Sequence, residues 1–238
     1  MKVYGRNILK EILETNTKVR MIYFSDTNSA ELTELIEEVK KRRLPFTIAN
    51  KKVLQRLSNT EKHQGVVIDI GEFEYKDESI IESLEKPFLV ILDQLQDPHN
   101  FGAIIRTAVA SGADAIIIPK NNSVQVTPTV VKVSVGTIFK INIIKTINIA
   151  RFIKNIKEMG IWVYGADTNG KVYYKTDLRK PIAIVLGNEG SGIRSNVKEK
   201  CDALITIPMK NSVESLNVSV SAGILLYEVM RQNENFSS

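Results

Sequence analysis

The stretch VLGNEGSG, residues 185–192, closes an apolar run that begins at Ile182. A short unbroken apolar run that ends in glycine reads as a strand buried on both faces of a parallel sheet. Glycines after such a strand let a ligand approach the backbone closely. Phosphate is the usual occupant of such a turn. Here the turn carries Glu189 at its centre, and a carboxylate repels phosphate. The turn therefore fits a neutral or cationic ligand. It also lacks the Lys-Ser or Lys-Thr pair that follows the glycines of a Walker loop.

The same pattern extends outward on both sides. FLVILD (88–93), ADAIIIP (113–119), FKINIIKT (139–146), IWVYGAD (161–167) and ALITIP (203–208) read as further strands. Between them lie helical stretches. NFGAIIRTAVASG (100–112) has Gly112 at its C-terminal end, and TPTVVKVSVG (127–136) has Thr127 as cap and Pro128 at the first helical position. A third helix runs from Asn148 to Gly160, and SLNVSVSAGILLYEVMRQ (215–232) closes the chain as a long helix, with Ser215 a candidate cap. Alternation of this kind predicts an α/β unit with a parallel sheet covered on both faces.

Upstream the alternation is smaller in scale. MKVYGRNILKEILE reads as an amphipathic helix and not a signal peptide, with helical spacing over 5–15 and 29–43. VRMIYFS (19–25), PFTIA (45–49) and GVVIDI (65–70) read as strands, and Asn50 caps the helix KKVLQRLS. The segment GEFEYKDESIIESLEKP has six acidic residues against two lysines and reads as a linker with at most one helical turn. The expected division is 1–71, linker 72–87, and 88–238.

Composition bounds the chemistry. The 238 residues are 43% hydrophobic and 25% charged, an ordinary globular balance. No apolar run approaches the roughly 18 residues of a membrane span, so no membrane partner is expected. One cysteine, Cys201, excludes an internal disulfide, and with two histidines it makes a poor zinc set. The expected location is the cytoplasm, without a metal. The net charge is +5, and residues 1–71 hold 13 Lys or Arg against 9 Asp or Glu. That surplus, with KKRR at 40–43, suits a polyanion such as RNA, although basic residues also gather at solvated helix ends.

Ligands of open parallel sheets bind at the carboxyl ends of the strands. Three loops there are rich in polar residues: DQLQDPHNFGAIIRT, GNEGSG and IPMKNSVESLN. No G-x-G-x-x-G follows strand 88–93, which disfavours a dinucleotide-dependent oxidoreductase. In order, DPHNFGAIIRTA (97–108), VLGNEGSGI and IPMKNSVESLNVSVSAGI resemble the three signature motifs of the SpoU/TrmH family of RNA ribose 2′-O-methyltransferases, within the SPOUT superfamily. The resemblance covers residues 88–231. YGRNILKEIL and EKHQGVVIDI are similar to the small L30e-like RNA-binding domain of the family's rRNA-directed branch.

That resemblance implies a C-terminal domain tied in a trefoil knot, which periodicity could not reveal. It also implies a homodimer whose knot binds S-adenosylmethionine, and a guanosine of 23S rRNA as target. A tRNA target, another 23S rRNA site, or a non-catalytic RNA-binding module are the alternatives. By the same resemblance Gly187, Ile207, Met209 and Leu216 contact the cofactor, and Arg106 assists loss of the 2′-hydroxyl proton. Arg106 is either a proton acceptor or, because guanidinium loses its proton so reluctantly, an orienting and electrostatic group. Asn100, Glu189, Ser215 and Asn217 match the remaining polar positions, with Asn100 and Asn217 expected to position Arg106 and the ribose. Asn211 stands where the family carries glycine. Asparagine tolerates the left-handed conformation that such a turn needs. His63 and His99 are assigned no chemistry.

Overall fold

The computed structural model describes residues 1–26 and 29–234. In chain order the first elements are β1 (Lys2–Tyr4), α1 (Arg6–Leu13), β2 (Met21–Ser25), α2 (Ala30–Lys41), β3 (Phe46–Ala49), α3 (Lys51–Ser58) and β4 (Val66–Asp69). Next come β5 (Phe88–Leu92), α4 (Pro98–Ala110), β6 (Ala115–Pro119), α5 (Pro128–Val133), β7 (Asn142–Thr146) and α6 (Ile149–Glu158). The last are β8 (Trp162–Val172), β9 (Ile182–Leu186), α7 (Ser195–Lys198), β10 (Ala203–Thr206) and α8 (Val218–Asn233). The chain divides into two compact units, residues 1–74 with 126–140, and residues 75–125 with 141 onward.

The first unit is built on a four-stranded sheet in the order β1-β4-β2-β3, with only the β2/β3 pair parallel. β1 corrects the reading of the N-terminus as one helix. Lys2–Tyr4 pair antiparallel with β4, and Gly5, at φ 115°, turns the chain from strand into helix. Three residues are too few for any periodicity to betray a strand. The apolar face of α1 buries Ile8, Leu9 and Ile12, and Ile22, Phe24, Leu54 and Ile68 complete the core. Each such side chain stabilises the unit by about 1.5–3 kcal/mol.

Residues 126–140 belong to this unit. The Lys140 ammonium meets Glu11 at 2.6 Å and Glu14 at 2.7 Å, and Lys132 lies 5.0 Å from the centre of the Tyr4 ring. Thr137–Lys140 wind into a 3-10 turn, so the strand expected from residue 139 begins only at Asn142. The sequence alternation hides this because a 3-10 turn and a strand both accept Ile-Phe.

The second unit is a six-stranded, all-parallel sheet in the order β10-β8-β9-β5-β6-β7. Every residue of β5, β6 and β9 is buried, as expected for strands covered on both faces. One face packs on α6, where Phe152, Ile153 and Ile156 meet Leu89, Ile117 and Val185. α4 and α8 pack against each other. Thr127 caps α5 and Asn50 caps α3, as read from sequence, and Asn148, read as the start of α6, proves to be its cap. Within residues 72–87, Glu78–Ser83 form a 3-10 turn capped by Asp77, and Lys76 makes a parallel bridge to Ile144.

Two departures in this unit bear on function. β8 runs eleven residues, beyond the expected end at 167. Its pairing with β10 jumps from Gly165↔Leu204 to Lys171↔Ile205, so residues 166–170 leave the ladder. The closing helix starts at Val218, three residues later than expected, and its cap is Asn217 and not Ser215. The Asn217 side chain accepts from the Ser219 backbone at 2.8 Å and the Ser219 hydroxyl at 2.6 Å. A carboxamide oxygen at that position satisfies a free helix-start N–H directly.

Candidate functional site

The carboxyl ends of β9 and β10, the break in β8 and the start of α8 surround a cavity of about 420 Å³. That is within the size range of small-molecule sites. Its floor is the glycine turn. Asn188 and Gly192 exchange backbone hydrogen bonds of 3.1 and 2.9 Å, which closes residues 188–192 into a tight loop. The Asn188 side chain holds the loop further by accepting from Gly190 N–H and donating to the Gln94 carbonyl, both at 2.9 Å. Gly187 has no room for a side chain, since a Cβ there would lie 2.1 Å from the Gly192 carbonyl carbon. Gly170 is equally tight, with a Cβ meeting the Ile205 backbone at 2.5 Å.

An ion pair with a fully buried carboxylate anchors the far end of the loop. Asp93, fully buried at the end of β5, accepts from Arg194 Nη2 at 2.6 Å, Nε at 2.9 Å and the Arg194 backbone N–H at 3.0 Å. An unpaired carboxylate at that depth would cost several kcal/mol, so the pair fixes where the chain leaves the turn.

The cavity wall is acidic and apolar. Asp167, Glu189 and Glu214 face one ammonium, Lys198, which lies 2.5 Å from Asp167. Burial pushes the Asp167 carboxyl up. The Lys198 ammonium and the Asn169 and Thr168 backbone N–H groups outweigh this and leave it below its usual value, hence ionised. Leu186, Ile205 and Leu225 add apolar surface. Such a lining rejects phosphate and accepts a sulfonium cation beside a flat heteroaromatic group. The expectation drawn from Glu189 therefore extends to the whole cavity.

All four residues expected at the cofactor, Gly187, Ile207, Met209 and Leu216, line this cavity, as do Glu189 and Ser215. Asn100 sits at its edge, in the first turn of α4. Asp97 caps that helix by accepting from the His99 and Asn100 backbones at 3.0 and 3.3 Å, with Pro98 in the first turn. From there Asn100 Nδ2 donates to Glu189 Oε1 at 2.8 Å, and Asn217 Nδ2 donates to Asn100 Oδ1 at 3.1 Å. Glu189, Asn100 and Asn217 thus form one hydrogen-bonded chain joining the glycine turn, α4 and the start of α8.

Arg106 stands apart. Six residues turn it about 120° around α4 from Asn100. It is exposed, does not line the cavity, and has no hydrogen bond or ion pair among the described residues. Within this chain Asn100 bonds Glu189 and Asn217, and neither asparagine bonds Arg106. The sequence reading missed Ala166–Asn169, Lys198 and the Asp93–Arg194 pair. Asp93 was visible as a charge ending an otherwise apolar strand, a signal that would have flagged it. Asn211, at φ 56°, is left-handed as expected, and Ser212, at φ 58°, unexpectedly follows it. No group of three or more metal-ligating side chains occurs among the described residues.

Residues 87–227 match the SpoU rRNA methylase family, and residues 2–76 match the RNA 2′-O ribose methyltransferase substrate-binding domain. A putative TrmH family tRNA/rRNA methyltransferase of Bacillus subtilis is 40% identical over 237 residues, 97% of this chain and 95% of that protein. A 23S rRNA (guanosine-2′-O-)-methyltransferase of Coxiella burnetii is 40% identical over 240 residues, 98% of this chain and 96% of that protein. Among solved structures, a SpoU methyltransferase of Streptomyces viridochromogenes in complex with S-adenosylmethionine superposes with a TM-score of 0.84 at 26% identity. That alignment covers 98% of this chain and 90% of the other.

Proposed function

The chain belongs to the SpoU rRNA methylase family and is an S-adenosylmethionine-dependent RNA ribose 2′-O-methyltransferase, and we propose that its target is a guanosine of 23S rRNA. The observation that carries the reading is the phosphate-averse cavity, joined by the Glu189–Asn100–Asn217 chain to the two helices that flank it. The rRNA assignment is supported by relatives named as 23S rRNA guanosine methyltransferases at 40 and 35% identity.

We assign Gly187, Ile207, Met209 and Leu216 to cofactor contact. Glycine lets the backbone close on the ligand, and the apolar residues cover its flat ring. When bound, S-adenosylmethionine supplies an electrophilic methyl group on a positively charged sulfur. Glu189, Asp167 and Glu214 keep the cavity negative around that charge. Asn100 and Asn217, each locked by the other, offer a preorganised polar edge that orients the ribose, which removes most of the orientational cost of attack. Ser215 lines the same cavity and adds a hydroxyl.

A ribose hydroxyl must shed its proton as it attacks. Arg106 supports that step as a cation beside the developing alkoxide. Because Arg106 lies off the cavity of its own chain, we assign completion of the site to a second copy. An exposed apolar stripe on α8, Val220 and Tyr227 at 50% exposure each with the half-buried Ile224 between, supports a dimer through this helix. Residues 1–71 are assigned to RNA binding as an L30e-like domain, 72–87 to a linker and 88–238 to catalysis. The tight backbone passages at Gly170 and Gly187 support a chain threaded as a trefoil knot. No helix among the described residues is long and apolar enough to cross a membrane, and we place the reaction in the cytoplasm.

The test is methyl transfer to in vitro transcribed 23S rRNA and to tRNA transcripts, with the modified ribose mapped. One guanosine ribose in 23S rRNA is expected to be labelled. Labelling of tRNA alone, or of another 23S rRNA residue, overturns the assignment.

A further inference from the structure

We infer that the exposed side of α3, together with the open edge of β3 and the end of α2, is the surface on which the first unit grips the RNA phosphate backbone. This rests on the reading of the chain as an RNA methyltransferase and says which face meets the RNA.

Positive charge in the chain is concentrated there. Residues 40–62 hold eight Lys or Arg against a single acid, Glu61, a net +7 in a chain whose total is +5. Two of the eight are engaged: Lys40 meets Glu37 at 2.8 Å, and Arg42 meets Glu38 at 2.6 Å. Lys41, Arg43, Lys51, Lys52, Arg56 and Lys62 are exposed, and none has an ion pair among the described residues. Exposed basic clusters in globular domains are usually laced with Glu or Asp at the i,i+4 positions. α3 contains no acidic residue to serve that purpose.

The fold places these groups on one continuous path. β3 is the outermost strand of its sheet, with Arg43 just before it and Lys51 just after it. α3 then turns its Leu54 side inward, where Leu54 is fully buried, so Lys52 and Arg56, one turn apart, stand on the opposite side. Cations on a sheet edge commonly prevent strand-to-strand aggregation. That role suits Arg43 and Lys51, which flank the uncharged β3, and leaves Lys52 and Arg56 on α3 unexplained.

The chemistry of the surface specifies how it recognises its partner. Its exposed apolar groups are aliphatic, Ile48 at 50% and Val53 at 40%, and no aromatic side chain is exposed on β3 or α3 to stack on a base. Lysine-rich, aromatic-free surfaces contact phosphates and position the nucleic acid without reading its sequence. This face therefore contributes affinity and placement, and the choice of nucleotide lies elsewhere.

The test compares the full-length protein with Lys51→Gln/Lys52→Gln/Arg56→Gln, using fluorescence anisotropy on in vitro transcribed 23S rRNA from 50 to 300 mM salt. Losing three phosphate contacts lowers the salt slope by about 2 to 3 and the affinity near 0.15 M salt by about fiftyfold to about 170-fold. The target ribose remains the same. A control, Lys86→Gln/Lys175→Gln/Lys200→Gln, removes the same charge from the second unit and is expected to leave the slope nearly unchanged. Arg43→Gln/Lys62→Gln, at the rim, is expected to give an intermediate loss. Circular dichroism and thermal unfolding of each variant check that the fold is intact. Unchanged slope and affinity in the α3 variant, with methylation intact, overturn the inference and leave the enzymatic reading standing. Loss of binding to anionic vesicles with RNA binding unaltered also overturns it. Normal RNA binding that depends on α3, without any ribose methylation by the wild type, overturns the enzymatic reading alone.

Discussion

Replacing Gly187 by alanine tests the cavity at its tightest point. The added Cβ would lie 2.1 Å from the Gly192 carbonyl carbon and 2.3 Å from the Ile193 nitrogen. Carbon atoms rest at about 3.5–4.0 Å, so the two backbone segments must part by about 1.4 Å or more. Both obstacles are main chain and cannot rotate away. The separation breaks the paired Asn188–Gly192 hydrogen bonds of 3.1 and 2.9 Å. At about 1 kcal/mol net for each bond, the loss is about 2 kcal/mol before any displacement of the cavity wall is counted. That corresponds to at least about thirtyfold weaker binding of S-adenosylmethionine. Gly190→Ala, three residues along the same turn, is the control. Its Cβ meets only the Asn188 side-chain oxygen, at an ordinary 3.6 Å. Isothermal titration should find Gly190→Ala within about twofold of wild type, the small effect expected of a Gly→Ala change at a compatible backbone. Equal affinities for the two variants would refute the placement of the cofactor on this turn.

Other perturbations have equally definite outcomes. Arg106→Ala should leave cofactor affinity unchanged and lower kcat by about 10²- to 10³-fold, as removal of one transition-state donor does; unchanged kcat would remove its proposed role. Asn100→Ala cuts the contacts to Glu189 and Asn217, and single-turnover rates should fall up to about 10²-fold, far more than cofactor affinity. Asp93→Asn removes the charge-assisted bonds to the partly exposed Arg194 and should cost about 1–3 kcal/mol in urea unfolding; a variant as stable as wild type would contradict the anchoring role. Burial, helped by the Lys51 charge, holds the His63 imidazole below its usual 6.5. The unfolded chain therefore takes up that proton first as pH falls. The stability contributed by neutral His63 is complete above pH 6.5 and lost as pH drops through the lowered folded value, and His63→Gln should flatten this acid limb.

What could be read from the residues, and what could not, follows physical lines. Strands buried on both faces, such as β5, β6 and β9, are legible because nothing polar interrupts them. Caps such as Thr127 and Asn50 are legible because one side chain satisfies a known backbone need. Glu189 was legible as a charge in a turn that should welcome anions. Long-range geometry was not. The break in β8 that brings Ala166–Asn169 into the cavity depends on the backbone of Ile205 passing beside Gly170, 35 residues apart in sequence. The grouping of residues 126–140 with the first unit rests on Lys140 finding Glu11 and Glu14, more than a hundred residues away. Arg106 shows the opposite limit. Its place in a motif is readable, but its uncommitted side chain acquires meaning only from a partner that binds there.

The most direct measurement of the central claim uses S-adenosylmethionine carrying a heavy-isotope methyl group, incubated with the purified protein and 23S rRNA. The RNA is then digested to nucleosides for mass spectrometry. The heavy methyl is expected on the ribose oxygen of guanosine, surviving alkaline hydrolysis of the intact RNA as an uncleaved dinucleotide, and strongly reduced with the Gly187→Ala protein at a cofactor concentration near the wild-type Kd. Label on a base nitrogen or carbon, or equal labelling by the Gly187→Ala protein, would contradict it.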